Sequence, residues 1–228
     1  MRLEDLNWMD VESYLQADDR IILVLGSCEQ HGFLSMQTDV RIPQALADAA
    51  SREMDVLVAP ALNFGVSPYF MEFPGTISLQ PKTYIAIFED IIESLIHHGF
   101  KRILILNGHG GNHVATTSCN TILNKYPDVQ IRWYSWWRSR AVQKIYEKHN
   151  LKPGHGDWSE AFPFTIVSDI PNLEKDVADV EGSISALKMK ELFPEGVMGS
   201  PLKADMSIMD ELFKTALANI LHLLTFEE

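Results

Sequence analysis

The chain has 228 residues, 46% hydrophobic and 22% charged, the balance of an ordinary folded globular protein. Its formal charge of −12, with no run of Lys and Arg, excludes a basic nucleic-acid surface, and two cysteines in unrelated contexts, Cys28 and Cys119, exclude a disulfide framework. No apolar run approaches the ~20 residues that span a bilayer, and the N-terminal MRLEDLNWMD has no apolar signal core, so we expect a cytoplasmic protein with one α/β domain over residues 1–228.

The apolar positions Leu6, Met9, Val11 and Tyr14 predict a short helix within residues 3–16. Ile21 to Leu25 is a continuous apolar run closed by Gly26, the pattern of a strand buried on both faces of a parallel sheet. Its carboxyl end leads into LGSCEQHGFLSMQTD, residues 25–39, and ligands bind at that end in open α/β sheets. Glu29 and His31, two residues apart, point to one side of an extended backbone and offer a carboxylate and an imidazole to one small volume, with Asp39 on the far side of the loop. Such mixed ligands suit zinc, manganese or iron; a solvated polar turn is the competing reading.

Pro43 is expected in the first turn of a helix reaching Met54, and Val56 to Pro60 as a second strand. The following loop to Leu79 is long enough to carry function and contains a tight FPGT turn. Residues 81–98 have the three-and-four spacing of an amphipathic helix stopped by Gly99, and 102–106 form the next buried strand. That strand enters NGHGGN, residues 107–112, where three glycines permit a sharp turn and His109 is the strong ligand. Asn112 is expected to cap a helix through about Lys125. An incidental histidine in a glycine-rich turn is the alternative.

Val129 to Ser135 predicts a fourth strand, ending in YSWWR, where Trp133 reads as core and Trp136 or Trp137 as a pocket wall. After a helix over about 138–149, PGHGDWSEAFPFT holds the candidates His155 and Glu160, with Asp157 and Trp158 between them; Pro163 is expected near the start of another helix. A short helix over 184–192 and an amphipathic helix over 207–226, with Ile208, Leu212, Leu217, Ile220 and Leu224 as its buried stripe, complete the chain.

GSCEQHG with Thr38-Asp39, FPGTISL, NGHGGN and the His-x4-Glu segment at His155 to Glu160 occur in one order, and on them the sequence resembles the creatininase (creatinine amidohydrolase) family. The closing VMGSPLKAD and terminal helix are similar too. The resemblance implies a three-layer α/β/α sandwich around a mainly parallel sheet and assembly as a homo-oligomer, commonly a hexamer. It implies a centre of one or two divalent metals (Zn, Mn or Fe) held by Glu29, His31, Asp39, His109 and Glu160, with Asp39 bridging if two bind. His155 is implied as the acid/base beside Glu160, and Asp157, Trp158 and Trp136 are expected to shape the pocket.

Three departures bear on substrate. The loop after EQHG reads Phe33-Leu34-Ser35-Met36; the histidine often found before FPGT is Phe70; and where creatininase proper has a glutamate in the NGH turn and a Trp-Asp pair before its catalytic histidine, this chain has Gly111 and Leu151-Lys152. Creatinine is therefore not the expected substrate, and Glu160 is expected to complete the ligand set. The expected activity is hydrolysis of a non-peptide C–N bond in a small cyclic amide or formamide by metal-activated water, with His155 donating a proton to the leaving nitrogen. Alternatives are trimming of a modified peptide, a catalytically silent metal- or small-molecule-binding protein, and Cys28 as a nucleophile. The last is disfavoured because Cys28 should face away from Glu29 on extended backbone.

Overall fold

A computed structural model describes residues 1–171 and 182–227. Four strands, β1 (Arg20–Leu25), β2 (Leu57–Val58), β3 (Arg102–Asn107) and β4 (Gln130–Ser135), form one parallel sheet in the order β2-β1-β3-β4. The helices are α1 (Trp8–Leu15), α2 (Thr38–Met54), α3 (Pro81–His97), α4 (Thr116–Lys125), α5 (Arg140–Lys148), α6 (Ala186–Leu192) and α7 (Met206–Leu223).

Alternation along the strands explains the three layers. Ile22, Val24, Val58, Leu104 and Leu106 pack on one face against α2, α5 and α7, while Ile21, Leu23, Leu25, Leu57, Ile103 and Ile105 pack on the other against α1, α3 and α4. Each of these side chains is at most 1% exposed, and full burial stabilises by roughly 1.5–3 kcal/mol apiece. The sheet therefore needs helices on both faces, as the continuous apolar runs imply. Gly99 ends α3 with φ 105°, its N–H bonded to Ile96 and that of Phe100 to Leu95, a Schellman turn.

The register decides where chemistry can gather. Leu25 pairs with Asn107 and Asn107 with Ser135, so three strands end on one level. The segments holding residues 27–31, 108–112 and 136–138 consequently leave the sheet side by side.

Four expectations are corrected. Helix α2 starts at Thr38, and Pro43 lies inside it. Pro43 has no N–H to offer the carbonyl of Asp39, and that freed turn lies against the end of β3: a Cβ on Gly108 would fall 2.0 Å from the Asp39 oxygen. Asn112 caps no helix; it sits inside a 3-10 turn over Gly110–Ala115 and donates through Nδ2 to the carbonyl of Gly26 and to Asn107 Oδ1. Pro163 starts no helix, since residues 163–165 form a turn whose Thr165 hydroxyl bonds back to Glu160 and Phe162. The buried stripe of α7 centres on Met209, Leu212, Ala216 and Ile220, leaving Ile208 and Leu217 at its margins. Part of the polar stretch expected as loops over 169–195, residues 172–181, lies outside the described residues.

Candidate metal centre

Beyond β1 the chain stays extended, and Ser27, Glu29 and His31 alternate onto one side, as a period of two requires. Cys28 faces away, its Sγ 3.7 Å from the carbonyl of Gly75 and its backbone bridged to Ile77. Asp39 enters from the first turn of α2, where the helix N-terminus favours a negative charge. His109 arrives from the end of β3, and Glu160 from a 3-10 turn over Trp158–Glu160.

These side chains form two three-residue groups, Glu29–Asp39–His109 and His31–Asp39–Glu160, each with ligand atoms within 4.8 Å of one another. Asp39 belongs to both: Oδ1 lies 3.0 Å from His31 Nε2 and Oδ2 lies 2.9 Å from His109 Nδ1. Ser27 donates its hydroxyl to Oδ2 at 2.7 Å. Glu160 Oε2 is 3.8 Å from His31 Nε2 and accepts the N–H of Gly156.

The outer nitrogens explain the orientation of the rings. His31 Nδ1 lies 3.1 Å from the Glu29 carbonyl and His109 Nε2 lies 3.0 Å from that of Val66, so each donates outward to a carbonyl and turns its other nitrogen towards the acids. That arrangement fixes the tautomer metal-ligating histidines use. Asn107 braces the His109 turn, donating to the carbonyl of His109 and accepting from its N–H. Glu29 Oε2 is buried without a hydrogen-bond partner. Such an oxygen is costly unless a cation satisfies it, so the residues present fit a divalent metal.

Electrostatics agree. Burial works against a charged His31, but Asp39 and Glu160 outweigh it and hold the imidazole up at about 10. His109 is held well above its usual value against its own burial by Glu29 and Asp39. Asp39, although buried, is pulled below the usual carboxylate range by the two histidines, whereas burial and the nearby Asp39 charge push Glu160 up. Three carboxylates in one buried volume demand positive charge, which protons or cations can supply.

His155 lies beside this cluster. Its Nε2 is 2.7 Å from the Gln30 carbonyl, its ring centroid is 4.2 Å from that of His31, and Phe70 stacks on it at 4.3 Å and 16°. Nδ1 points inward, 3.7 Å from Glu29 Oε1, and His155 also lies within ligand reach of Glu29 and His31. Burial, then the neighbouring His31, pushes its imidazole down to about 4.

Glu29, Asp39, His109, His155 and Glu160 form the floor of a cleft of about 630 Å³ walled by Val66, Pro68, Tyr69, Phe70, Trp136 and Trp137, with His31 buried beneath it. Trp136 lines this cleft, whereas Asp157 and Trp158 are fully buried and do not. Trp158 packs edge-on against Tyr146, and Asp157 accepts from the N–H and hydroxyl of Ser159. They brace the turn carrying Glu160 from behind. Ser27, Asn107 and Gln30 are contributors that sequence reasoning missed; the alternation Ser27–Glu29–His31 was the available signal for Ser27.

Residues 4–224 match the creatininase family, described as creatinine amidohydrolase. The chain belongs to the creatininase family. Among its relatives, the creatinine amidohydrolase of Pseudomonas putida is 33% identical over 115 residues, 47% of this chain and 44% of that protein. The mycofactocin precursor peptide peptidase of Mycolicibacterium smegmatis is 33% identical over 120 residues, 50% of this chain and 48% of that protein. The matched stretch thus spans about half the length of these curated relatives. A solved creatininase described with manganese superimposes with a TM-score of 0.75 at 22% identity, covering 97% of this chain and 96% of that one. A zinc–zinc form of a creatininase mutant does so with 0.76 at 22%, covering 97% and 95%. These share the three-layer creatininase fold.

Proposed function

We propose that this creatininase-family protein is a metal-dependent hydrolase that cleaves a non-peptide C–N bond of a small cyclic amide or formamide. The observation that carries the reading is the sharing of Asp39 between two ligand groups on the floor of an aromatic cleft. Glu29, Asp39 and His109 would hold one divalent ion, and His31, Asp39 and Glu160 a second. Oxygen and nitrogen ligands of this kind suit zinc, manganese or iron, and the solved relatives described with manganese and with zinc support the first two. Bound there, the ions supply Lewis acidity and lower the pKa of water from ~15.7 towards ~7.

The remaining chemistry falls to the chain. The aromatic walls would lower the polarity around a bound substrate and so strengthen polar interactions at the floor. His155 is held by the Gln30 carbonyl and Phe70 with Nδ1 facing the acids, and it starts neutral. In the first step water adds to the amide carbon as Nδ1 takes its proton; in the second the C–N bond breaks as Nδ1 returns that proton to the leaving nitrogen. The acid role read for His155 thus follows a base role.

The peptidase relative supports a second reading, trimming of a short peptide. The inward Nδ1 of His155 favours turnover over a silent metal- or small-molecule-binding protein, which needs no proton donor. We place the enzyme in the cytoplasm as a homo-oligomer, a hexamer by family resemblance; among the described residues no helix is long and apolar enough to cross a membrane. Metal analysis of the wild type beside Glu29→Ala and Glu160→Ala, with a screen of cyclic amides, formamides and short peptides, tests the proposal. Near two ions per chain, fewer in both variants and with hydrolysis lost, is the expected result; a wild type that takes up none of the three metals overturns it.

A further inference from the structure

The arginines of the fold are mostly committed to it: Arg2 to Asp48, Arg20 and Arg102 to Asp18, and Arg132 to the carbonyls of Leu223 and Glu227. Arg138 differs. It closes the 3-10 turn Trp136–Arg138 after β4, is exposed, and among the described residues makes no hydrogen bond or ion pair. It lines the same cleft as Glu29, Asp39, His155 and Glu160, and among the described residues no other Lys or Arg does. In a chain of net charge −12, a guanidinium that lines a cleft together with acids and has no partner among the described residues is free to serve a ligand.

We propose that Arg138 is a specificity-determining residue that pairs with an anionic group, a carboxylate or phosphate, carried by the substrate at a distance from the bond that is cleaved. This rests on the cleft being the substrate site of the hydrolase proposed above. A planar guanidinium matches either oxyanion in a two-point pairing, and the apolar wall of Val66, Tyr69 and Trp137 beside it suits the uncharged body of the molecule. The position follows from topology: β4 ends level with β1 and β3, so the residues just past Ser135 rim the site. The substrate class narrows to small amides bearing an acid.

Binding of N-acetyl-L-phenylalanine and of its neutral carboxamide, by titration calorimetry on metal-equilibrated protein, tests this without requiring turnover. N-acetyl-L-phenylalanine phosphonate, the phosphonic analogue, separates a carboxylate from a phosphate preference. The wild type should prefer an acid over the carboxamide by about tenfold or more, and the preference should collapse in Arg138→Ala and be partly kept in Arg138→Lys. An acid preference that survives Arg138→Ala places the anion elsewhere and overturns the proposal, as does a wild type with no preference. Failure to hydrolyse any amide would instead count against the hydrolase reading, leaving the binding comparison intact. Arg138 is exposed, so its replacement leaves the fold in place.

Discussion

His31 and Asp39 stand eight residues apart in sequence and meet through Nε2 and Oδ1 at 3.0 Å, the two atoms that a cation between them would claim. Asp39 spends its second oxygen on His109. Asp39→Asn keeps the shape and removes the charge, so we expect metal to be lost from both ligand groups, not one. Elemental analysis after dialysis measures it; retention of one full equivalent would show that the groups do not share the carboxylate.

Ser27 holds Asp39 Oδ2 at 2.7 Å from behind and does not line the cleft. Ser27→Ala should weaken metal affinity by about 10–100-fold, the usual cost of removing a partner behind a ligand, with the fold kept. Competition with a chromogenic chelator gives the affinity, and circular dichroism checks the fold.

Acidity should act in opposite directions on the stripped and loaded protein. In the metal-free state the His31 imidazole is held at about 10 against an ordinary 6.5, so the stability it contributes is complete below 6.5 and disappears as pH rises to about 10. A cation must displace that proton, so metal affinity rises over the same interval. The gap in Tm between loaded and chelator-treated protein should therefore widen from pH 6.5 to 9.5, by thermal unfolding at each pH. A gap that narrows contradicts the protonation assigned to His31.

Gly111→Glu, the residue that the resemblance places there in creatininase proper, should not create a creatininase. A Cβ there would sit 1.9 Å from the Val66 carbonyl and 2.7 Å from His109 Nε2, in the hydrogen bond that orients the ring. We expect about 1–3 kcal/mol of lost stability, the range for overpacked sites, together with weakened metal binding, read by urea unfolding and metal analysis.

Asp157 accepts two hydrogen bonds from Ser159, and burial pushes its carboxyl up to about 6. Asp157→Ala leaves the Ser159 N–H and hydroxyl unpaired and should cost about 1–3 kcal/mol. Activity should fall through misplacement of Glu160, and metal content should fall with it. Unchanged urea midpoints would contradict this bracing role.

The sequence by itself determined the layers, the strand ends and the extended Ser27–Glu29–His31 face, because each depends on a local period: apolar runs for strands buried on two sides, alternation for the face, three-and-four spacing for the helices. The ligand candidates Glu29, His31 and His109 were legible too, through motifs that follow β1 and β3 directly. The remainder is decided by packing between segments far apart in the chain. Nothing local places the ring of Phe70 on that of His155, joins Asn112 to the carbonyl of Gly26, or sinks Asp157 and Trp158 behind the wall. The early start of α2 is of the same kind: the proline rule put Pro43 in the first turn, while the close seat of Asp39 against Gly108 allows the helix to run through it. Periodicity specifies which way a side chain faces along its own element; which side chains share a volume is known only once the elements are docked.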